Sequence, residues 1–173
     1  VEKLGAKNIF IIQDKTAFGT GIAEEVKKEA EKLGATIQAF EGITVGEKDF
    51  NGVINQIVSK KPDAVYFGGL YTEAGIIVKQ MREKGITVPF VGADALDSSG
   101  LVDIAGEAVI NTYYTSVAGE VSSTDTGKEF VKKYEEKYTG KKAEAFSVYG
   151  YDTMGVILAG VEKAIEENDG KKP

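Results

Sequence analysis

Side chains that can bind a small polar molecule occur in three short stretches of the sequence. They combine carboxylates, an amide, aromatic and aliphatic groups and bare glycine backbone: Gln13, Asp14 and Phe18, then Gly68, Gly69, Leu70 and Tyr71, then Asp94. This set contains no basic side chain, whereas Arg and Lys are the usual partners of phosphate. The three stretches therefore suit a small zwitterion or an amide better than a phosphate.

Composition removes several classes of chemistry. The 173 residues include no His and no Cys, which excludes Ser-His-Asp and Cys-His catalysis, zinc sites with imidazole or thiolate ligands, and disulfides. Asp14 and Asp94 remain available as a general acid and base if they converge. The net charge of −6 disfavours a nucleic acid partner. We expect a chain without cofactor or metal.

Each of the three stretches follows an apolar segment of strand length. Strands are predicted at residues 8–12, 35–40, 64–67, 90–92 and about 110–116. Amphipathic helices are predicted between them, at about 20–33, from 50 to the Lys61-Pro62 stop, at about 72–84 and at about 99–104, with Asp49 capping the second. This alternation predicts an α/β fold, a doubly wound and mostly parallel sheet with helices on both faces. Ligands of such sheets bind outside the carboxyl ends of the strands, where the three stretches would meet.

The pattern changes after the fifth strand. We predict an α/β ligand-binding lobe over residues 1–117, a hinge-like linker over 118–127 and a C-terminal helical segment over 128–173. Two helices are expected there, at about 126–138 and 149–167, with no strand between them. The second helix carries an apolar stripe, which must be covered by another surface: Met154, Ile157, Leu158, Val161 and Ile165.

Every candidate residue also has a purely structural interpretation. Asp14 and Asp94 could cap turns or helices, although Asp97 and Ser98 are better placed to cap the helix after Asp94. Phe18 and Leu70 could be ordinary core residues. Gly68-Gly69 could simply let the backbone turn at the sheet edge, or could admit a ligand to bare backbone.

Two nucleotide-binding interpretations can be tested on the sequence. Gly19-Thr20-Gly21 begins like a dinucleotide fingerprint, but Glu24 stands where the third glycine belongs. A flavodoxin-like phosphate loop could instead use Thr16, Thr20 and Gly21 at a helix N-terminus. A phospho-receiver domain would have an acid at the end of the third strand, where this chain has Gly68-Gly69.

Three motifs resemble those of a known family. They are Ile11-Ile12-Gln13-Asp14-Lys15 followed by Phe18-Gly19, then Gly46-Glu47-Lys48-Asp49-Phe50 after Gly42-Ile43-Thr44, then Val65-Tyr66-Phe67-Gly68-Gly69. Together they resemble the leucine/isoleucine/valine-binding family of type I periplasmic binding proteins. The likeness is dense from about residue 5 to 117 and looser to about 167.

The resemblance implies a non-enzymatic solute receptor of an ABC importer, whose two lobes close over a small, branched-chain aliphatic amino acid. It places Phe18 as an aromatic ring against the ligand and Asp94 as the acid that receives the ligand ammonium. Leu70 stands where an aromatic residue is common, and the adjacent Tyr71 is expected to compensate. Asp94 is one methylene shorter than the Glu usual there, which shifts the ammonium site.

The resemblance also implies what lies outside this chain. Family members are roughly twice as long, and their first lobe grips the ligand carboxylate, so this chain corresponds to a second-lobe half. We therefore expect weak or undetectable binding by the isolated chain. The expected partners are an amino acid, an ABC transporter permease in the full-length form, and either the missing first lobe or a second copy of the chain.

The resemblance implies a periplasmic or extracytoplasmic protein, although residues 1–4 are not a signal peptide. Membrane insertion is not expected, because no apolar run approaches the roughly 18 residues that cross a bilayer. One alternative is an isolated structural half-domain that self-associates and binds no ligand. The other is a flavodoxin-like nucleotide binder.

Overall fold

The computed structural model describes residues 1–117 and 119–168. The chain divides into two compact units, Val1–Val117 and Ala118–Pro173. The first unit contains a five-stranded parallel sheet and its helices, and the described part of the second unit is helical. The α/β prediction is confirmed, while the hinge role of residues 118–127 stays a prediction.

The sheet has the strand order β2-β1-β3-β4-β5, with every neighbouring pair parallel. Its strands are β1 (Asn8–Gln13), β2 (Thr36–Gly42), β3 (Ala64–Gly68), β4 (Phe90–Gly92) and β5 (Thr112–Tyr114). The central strands are continuously apolar because both of their faces are buried, whereas β2 at the edge is only half-buried.

Four α-helices follow the strands in the first unit. They are α1 (Ala17–Lys32), α2 (Asn51–Lys60), α3 (Tyr71–Glu83) and α4 (Ser99–Ala105). The Ser98 side chain caps α4, as predicted. Asp49 was predicted to cap α2, but Phe50 occupies the cap position, and Asp49 instead accepts a hydrogen bond from the Asn51 amide. The backbone reverses at Lys61, which is left-handed and precedes Pro62.

The two faces of the sheet are covered unequally. Helices α2, α3 and α4 pack on one face and bury the larger cluster, which includes Phe10, Phe67, Phe90, Ile54, Ile77 and Met81. Helix α1 packs on the other face through Ala23 and Ala30. Beside α1 this face keeps an apolar groove of about 260 Å³, whose walls include Leu4, Leu33, Tyr66 and Val91.

Helix α3 also anchors the loop between β2 and α2. The buried Glu73 carboxylate accepts hydrogen bonds from the Gly46 amide, at 3.1 Å, and from the Thr72 hydroxyl. Two turns further on, the Gln80 amide group accepts from Phe50 N and donates to Lys48 O, both at 2.8 Å. The loop is thus fixed by polar side chains of α3 together with the burial of Ile43 and Phe50 in the larger cluster.

Helix α1 approaches the end of β3 through two glycines. A Cβ added to Gly68 would lie 2.3 Å from Gly19 O, and one added to Gly19 would lie 2.5 Å from Gly68 O. Neither glycine has a positive φ. The interpretation of Gly68-Gly69 as the place where the backbone turns holds for Gly69, which forms a bend, whereas Gly68 is the last residue of β3 and excludes a side chain through helix–strand contact.

Residues 119–168 of the second unit form two helices, α5 (Asp125–Lys137) and α6 (Ala145–Glu167), after a 3₁₀ turn at Val121–Ser123. Helix α6 begins four residues earlier than predicted, because Glu144 and Ser147 form a reciprocal capping box. The rings of Phe130 and Tyr151 join the helices, with centroids 5.3 Å apart.

Neither α5 nor α6, both of which the structure describes completely, has a buried residue. Four of the five residues of the predicted apolar stripe of α6 are exposed, with Leu158 at 60%, and Ile165 is half-buried. Across residues 1–117 and 119–168, no helix has the length and apolar character that a membrane crossing requires.

The glycine contact between α1 and β3 predicts opposite effects for two alanine substitutions. We expect Gly68→Ala to lower the free energy of unfolding by about 2 kcal/mol or more, because its Cβ would meet the Gly19 carbonyl. Gly21 lies on α1 like Gly19, but a Cβ there would have nothing within 4 Å, so Gly21→Ala should raise the free energy of unfolding by about 0.5–1 kcal/mol. Urea unfolding measures both, and equal stabilities for the two variants would contradict the contact.

Candidate functional site

The carboxyl ends of the strands lie side by side along one edge of the sheet. In the parallel register, Gln13 pairs with both Gly42 and Gly68, and Gly92 pairs with Tyr114. The segments that follow β1, β3 and β4 therefore leave the sheet at a shared edge, where the sequence placed the candidate site. Such an edge is where open parallel sheets bind their ligands.

The turn after β1 is held by Asp14. Its amide donates to Gly68 O at 3.0 Å, and its Oδ1 accepts from the Thr16 amide at 2.9 Å and from the Thr16 hydroxyl at 2.6 Å. Thr16 then caps α1 by accepting from Gly19 N at 2.9 Å. The turn-capping interpretation of Asp14 is confirmed.

Two apolar side chains stand exposed at this edge. Phe18, in the first turn of α1, is 44% exposed, and Leu70, which precedes α3, is 45% exposed. The interpretation of both as ordinary core residues is therefore wrong. An aromatic and an aliphatic group left open beside bare glycine backbone form a surface on which an apolar ligand group can pack.

Tyr71 faces a different part of the molecule. It is half-buried against the larger cluster, and its ring lies so close to Gly100 that a Cβ there would be 2.4 Å from Tyr71 Cε2. The structure therefore gives Tyr71 a packing role between α3 and α4. The expectation that it compensates for the missing ring at Leu70 stays a prediction.

Asp94 begins a 3₁₀ turn directly after β4 and is half-buried. Its negative charge interacts electrostatically with the hydroxyl of Tyr66, which is buried in the smaller cluster on the α1 face. Burial, followed by the negative charge of Asp94, raises the pKa of Tyr66 to about 12. Asp94 is thus a carboxylate of this edge that is neither fully solvated nor the side-chain cap of α4.

Sequence reasoning missed Tyr114 and Asp97 at the same edge. Tyr114 is the last residue of β5, and its hydroxyl bonds to Asp97; burial, then that bond, raises the pKa of Tyr114. The predicted fifth strand ran two residues too far, to Ser116, which hid the position of Tyr114. The rule used for the other strands, applied to the correct end of β5, would have found it.

Lys15 was also omitted from the sequence-derived set. It adopts a left-handed backbone conformation, and its side chain lies over the end of β2, where a Cβ on Gly42 would be 2.8 Å from Lys15 Cε. Next to it, Gln13 Oε1 accepts from the Lys15 amide and, at 2.9 Å, from the Thr20 hydroxyl. The β2 end of the edge is therefore occupied by the chain's own side chains.

A separate groove of about 440 Å³ belongs entirely to the second unit. Its walls are the aromatic side chains of α5 and α6, and its rim carries the exposed Lys133–Glu129 ion pair, at 2.6 Å. Since neither helix buries a residue, this groove is the open inner side of a helix pair. In the part of the chain that the structure describes, no group of three or more acidic residues is placed to hold a metal ion.

Family membership follows from the sequence as a whole. The sequence profile of the periplasmic binding proteins matches residues 1–172 of the chain. The chain belongs to the periplasmic binding protein family. The resemblance drawn from its motifs is thereby confirmed.

Relatives within the family are named for amino acids. The chain is 38% identical over 161 residues to the Leu/Ile/Val-binding protein homolog 1 of Brucella suis biovar 1, which covers 93% of this chain and 42% of that protein. It is 31% identical over 170 residues to the leucine-, isoleucine-, valine-, threonine- and alanine-binding protein of Pseudomonas aeruginosa, covering 98% of this chain and 45% of that protein.

Solved structures agree with this assignment. A leucine-binding protein of Thermotoga maritima superposes with a TM-score of 0.84 at 30% identity, over 94% of this chain and 47% of that one. A branched-chain amino acid transporter substrate-binding protein of Streptococcus pneumoniae, in complex with isoleucine, gives a TM-score of 0.81 at 30% identity, over 90% and 44%.

The chain thus spans less than half the length of these relatives. This agrees with the prediction of a truncated, one-lobe member of the family. The relatives are binding proteins, so the prediction that this chain is not an enzyme is confirmed at the level of the family.

The environment of Tyr66 predicts a specific loss of stability at high pH. An unfolded tyrosine ionises near pH 10, whereas Tyr66 stays protonated in the folded chain until about pH 12. Between these values the unfolded state has released a proton that the folded state keeps, so the free energy of unfolding falls as pH rises. We expect this one group to remove on the order of 2 kcal/mol.

Tyr66→Phe provides the control for this effect. The wild type should lose more stability than Tyr66→Phe between pH 10 and pH 12, as measured by urea unfolding at each pH. An ultraviolet titration should show one late-ionising tyrosine fewer in the variant than in the wild type. Parallel stability curves for the two proteins would contradict the assignment.

Proposed function

We propose that this chain is the second-lobe part of an amino acid receptor, and that it binds the ammonium and the aliphatic side chain of a branched-chain amino acid. The observation that carries the proposal is the pair of exposed apolar side chains, Phe18 and Leu70, at the same strand-end edge as the half-buried Asp94. The names of the relatives support the ligand class.

Each group has a chemical task in this proposal. Phe18 and Leu70 pack against the ligand side chain, where removal of apolar area from water gives most of the binding energy. The Asp94 carboxylate accepts hydrogen bonds from the ammonium, and partial burial strengthens that pairing relative to one in open water. The aliphatic Leu70 in place of a ring favours Leu, Ile or Val over an aromatic ligand.

The turn after β1 argues against the nucleotide alternative. A flavodoxin-like phosphate would have to lie at the N-terminus of α1. The Thr16 amide and hydroxyl of that turn already donate to the buried Asp14 carboxylate. A carboxylate at this position repels a phosphate, so an amino acid ligand is favoured over a nucleotide.

The full receptor would deliver its ligand to an ABC transporter permease outside the cytoplasm. This step is inferred from the family and from the transporter substrate-binding protein of Streptococcus pneumoniae. A chain of this length would supply one wall of the ligand site, and the other half of the receptor would supply the groups that grip the ligand carboxylate. Domain closure over the ligand would then bury it.

A lobe that contacts only the ammonium and the side chain predicts an unusual ligand preference. We expect the isolated chain to bind leucine with a dissociation constant of about 1 mM or weaker, since half of the contacts are missing. Isoamylamine, which is leucine without its carboxylate, should bind at least as well. 4-Methylpentanoate, which lacks the ammonium, should not bind.

Two-dimensional NMR titration measures this preference residue by residue. The ligand-dependent shifts should centre on Phe18, Leu70 and Asp94, and Asp94→Asn should abolish them. Asp103→Asn, which removes an exposed carboxylate from α4, serves as the matched control and should leave them unchanged. Shifts centred on α5 and α6, or equal binding of amine and acid, would contradict the proposal.

The exposed face of α6 supports a second part of the proposal. Its apolar side chains, with Leu158 60% and Val161 42% exposed, would be covered in a receptor by residues of the longer protein that this chain does not match. In the isolated chain the face has no such cover. Association with a second copy would then be weak and would reverse on dilution.

Neighbouring positions on α6 give a matched pair of variants. We expect Leu158→Lys to reduce hydrophobic dye binding and to abolish weak association, whereas Ala159→Lys adds the same charge one residue away and should change neither. Sedimentation velocity at several concentrations measures the association. A dimer that survives dilution would identify a second copy as the partner, and a monomer that binds no dye would show that the chain covers the face itself.

A further inference from the structure

One buried carboxylate at the strand-end edge takes no part in the ligand contacts proposed above. Asp14 is 2% exposed, and its Oδ1 accepts two hydrogen bonds from Thr16. Both bonds tie the carboxylate to its own turn, so Asp14 is a structural group of this edge. The residue it organises lies two positions beyond Thr16.

The hydrogen bonds are donated in one direction, from α1 through Thr16 to the Asp14 carboxylate. A hydroxyl has a single proton to donate, and Thr16 gives it to Asp14 at 2.6 Å. The lone pairs of the same oxygen are then free to accept from Gly19 N at 2.9 Å. Phe18 lies between these two anchors, in the first turn of the helix.

The ring of Phe18 has little else to hold it. The side chain is 44% exposed, so its own packing is incomplete. Its neighbour Gly19, in contrast, is buried against the carbonyl of Gly68. The position of the ring is therefore set by the backbone on either side of it.

We propose that Asp14 is a positioning residue: through the Thr16 hydroxyl it holds Gly19 N, and thereby sets the first turn of α1 so that Phe18 faces the ligand. This inference rests on the proposed function for the ligand role of Phe18. The series of hydrogen bonds that joins Asp14, Thr16 and Gly19 does not depend on that role, so the positioning role and the ligand role can be tested separately.

A second loop carboxylate offers a control for general loss of stability. Asp63 accepts from the amides of Lys7 and Asn8, at 3.0 and 2.8 Å, at the opposite end of β1. These bonds hold the pKa of Asp63 below its usual value. Asp63 thus joins the segment before β3 to the start of β1 by carboxylate–amide hydrogen bonds, at the end of the sheet opposite Phe18.

The test uses the exposed Thr16 first, because its variants should fold. Thr16→Val removes the bridging hydroxyl and Thr16→Ser restores it. Asp14→Leu and Asp14→Asn form the corresponding pair at the carboxylate, since the amide oxygen of Asn can still accept. Asp63→Leu is the control for unspecific destabilisation.

Two readouts are followed in each variant by NMR. The first is the exchange rate of the Gly19 amide together with the ring signals of Phe18, measured without ligand. We expect Thr16→Val and Asp14→Leu to speed this exchange about tenfold or more, and the Ser and Asn variants to stay within about threefold of wild type. The second is leucine affinity, expected to fall about fivefold in the same two variants and not in Asp63→Leu.

The outcomes separate the two proposals. A wild-type chain whose Phe18 signals ignore leucine and isoamylamine would end the proposed function, while the Gly19 exchange would still decide the positioning role. Wild-type exchange and ring signals in Thr16→Val would overturn the positioning role. So would an equal loss of leucine affinity in Asp63→Leu, because the effect would then be general destabilisation.

Discussion

The contact between Gly19 of α1 and Gly68 of β3 is the constraint on which the strand-end edge depends. A Cβ on Gly68 would meet the Gly19 carbonyl, and a Cβ on Gly19 would meet the Asp14 carboxylate and the Gly68 carbonyl. The contact brings the first turn of α1 directly onto the end of β3. Phe18, just before Gly19, and Leu70, two residues after Gly68, therefore flank the same point of contact. A looser junction would separate two side chains whose combined surface is what an aliphatic ligand would need.

Two buried acids show how such an edge is kept rigid without using its exposed side chains. Asp14 organises the turn that carries Phe18, and Glu73 fixes the loop between β2 and α2 through Gly46. Both carboxylates are buried and hydrogen-bonded, which is the condition under which a buried charge is tolerated. Since these supports lie behind the surface, Phe18, Leu70 and Asp94 remain free to contact another molecule.

The sequence predicted the sheet, its helices and the strands whose ends form the edge, because continuous apolar runs and helical periodicity report burial directly. The sequence could not predict that Gly68 contacts Gly19, since these residues are far apart in the chain. It also missed Tyr114, because three residues of β5 leave too short a pattern to locate their end. The early start of α6 depends on a capping box with Glu144 at the N-cap and Ser147 three residues later, whereas the usual order is Ser or Thr first and Glu three residues later.

Each of the two units leaves some apolar surface open. Helices α2, α3 and α4 bury the larger cluster completely, whereas the α1 face keeps an apolar groove beside Tyr66 and Val91. Helix α6, meanwhile, exposes an apolar face that water disfavours. The sheet edge with Phe18 and Asp94 needs neither of these surfaces in order to form, because its supports lie within residues 1–117. The half-site proposed for this edge can therefore keep its shape within residues 1–117, while its affinity would depend on the groups that the rest of a receptor brings to the other side of the ligand.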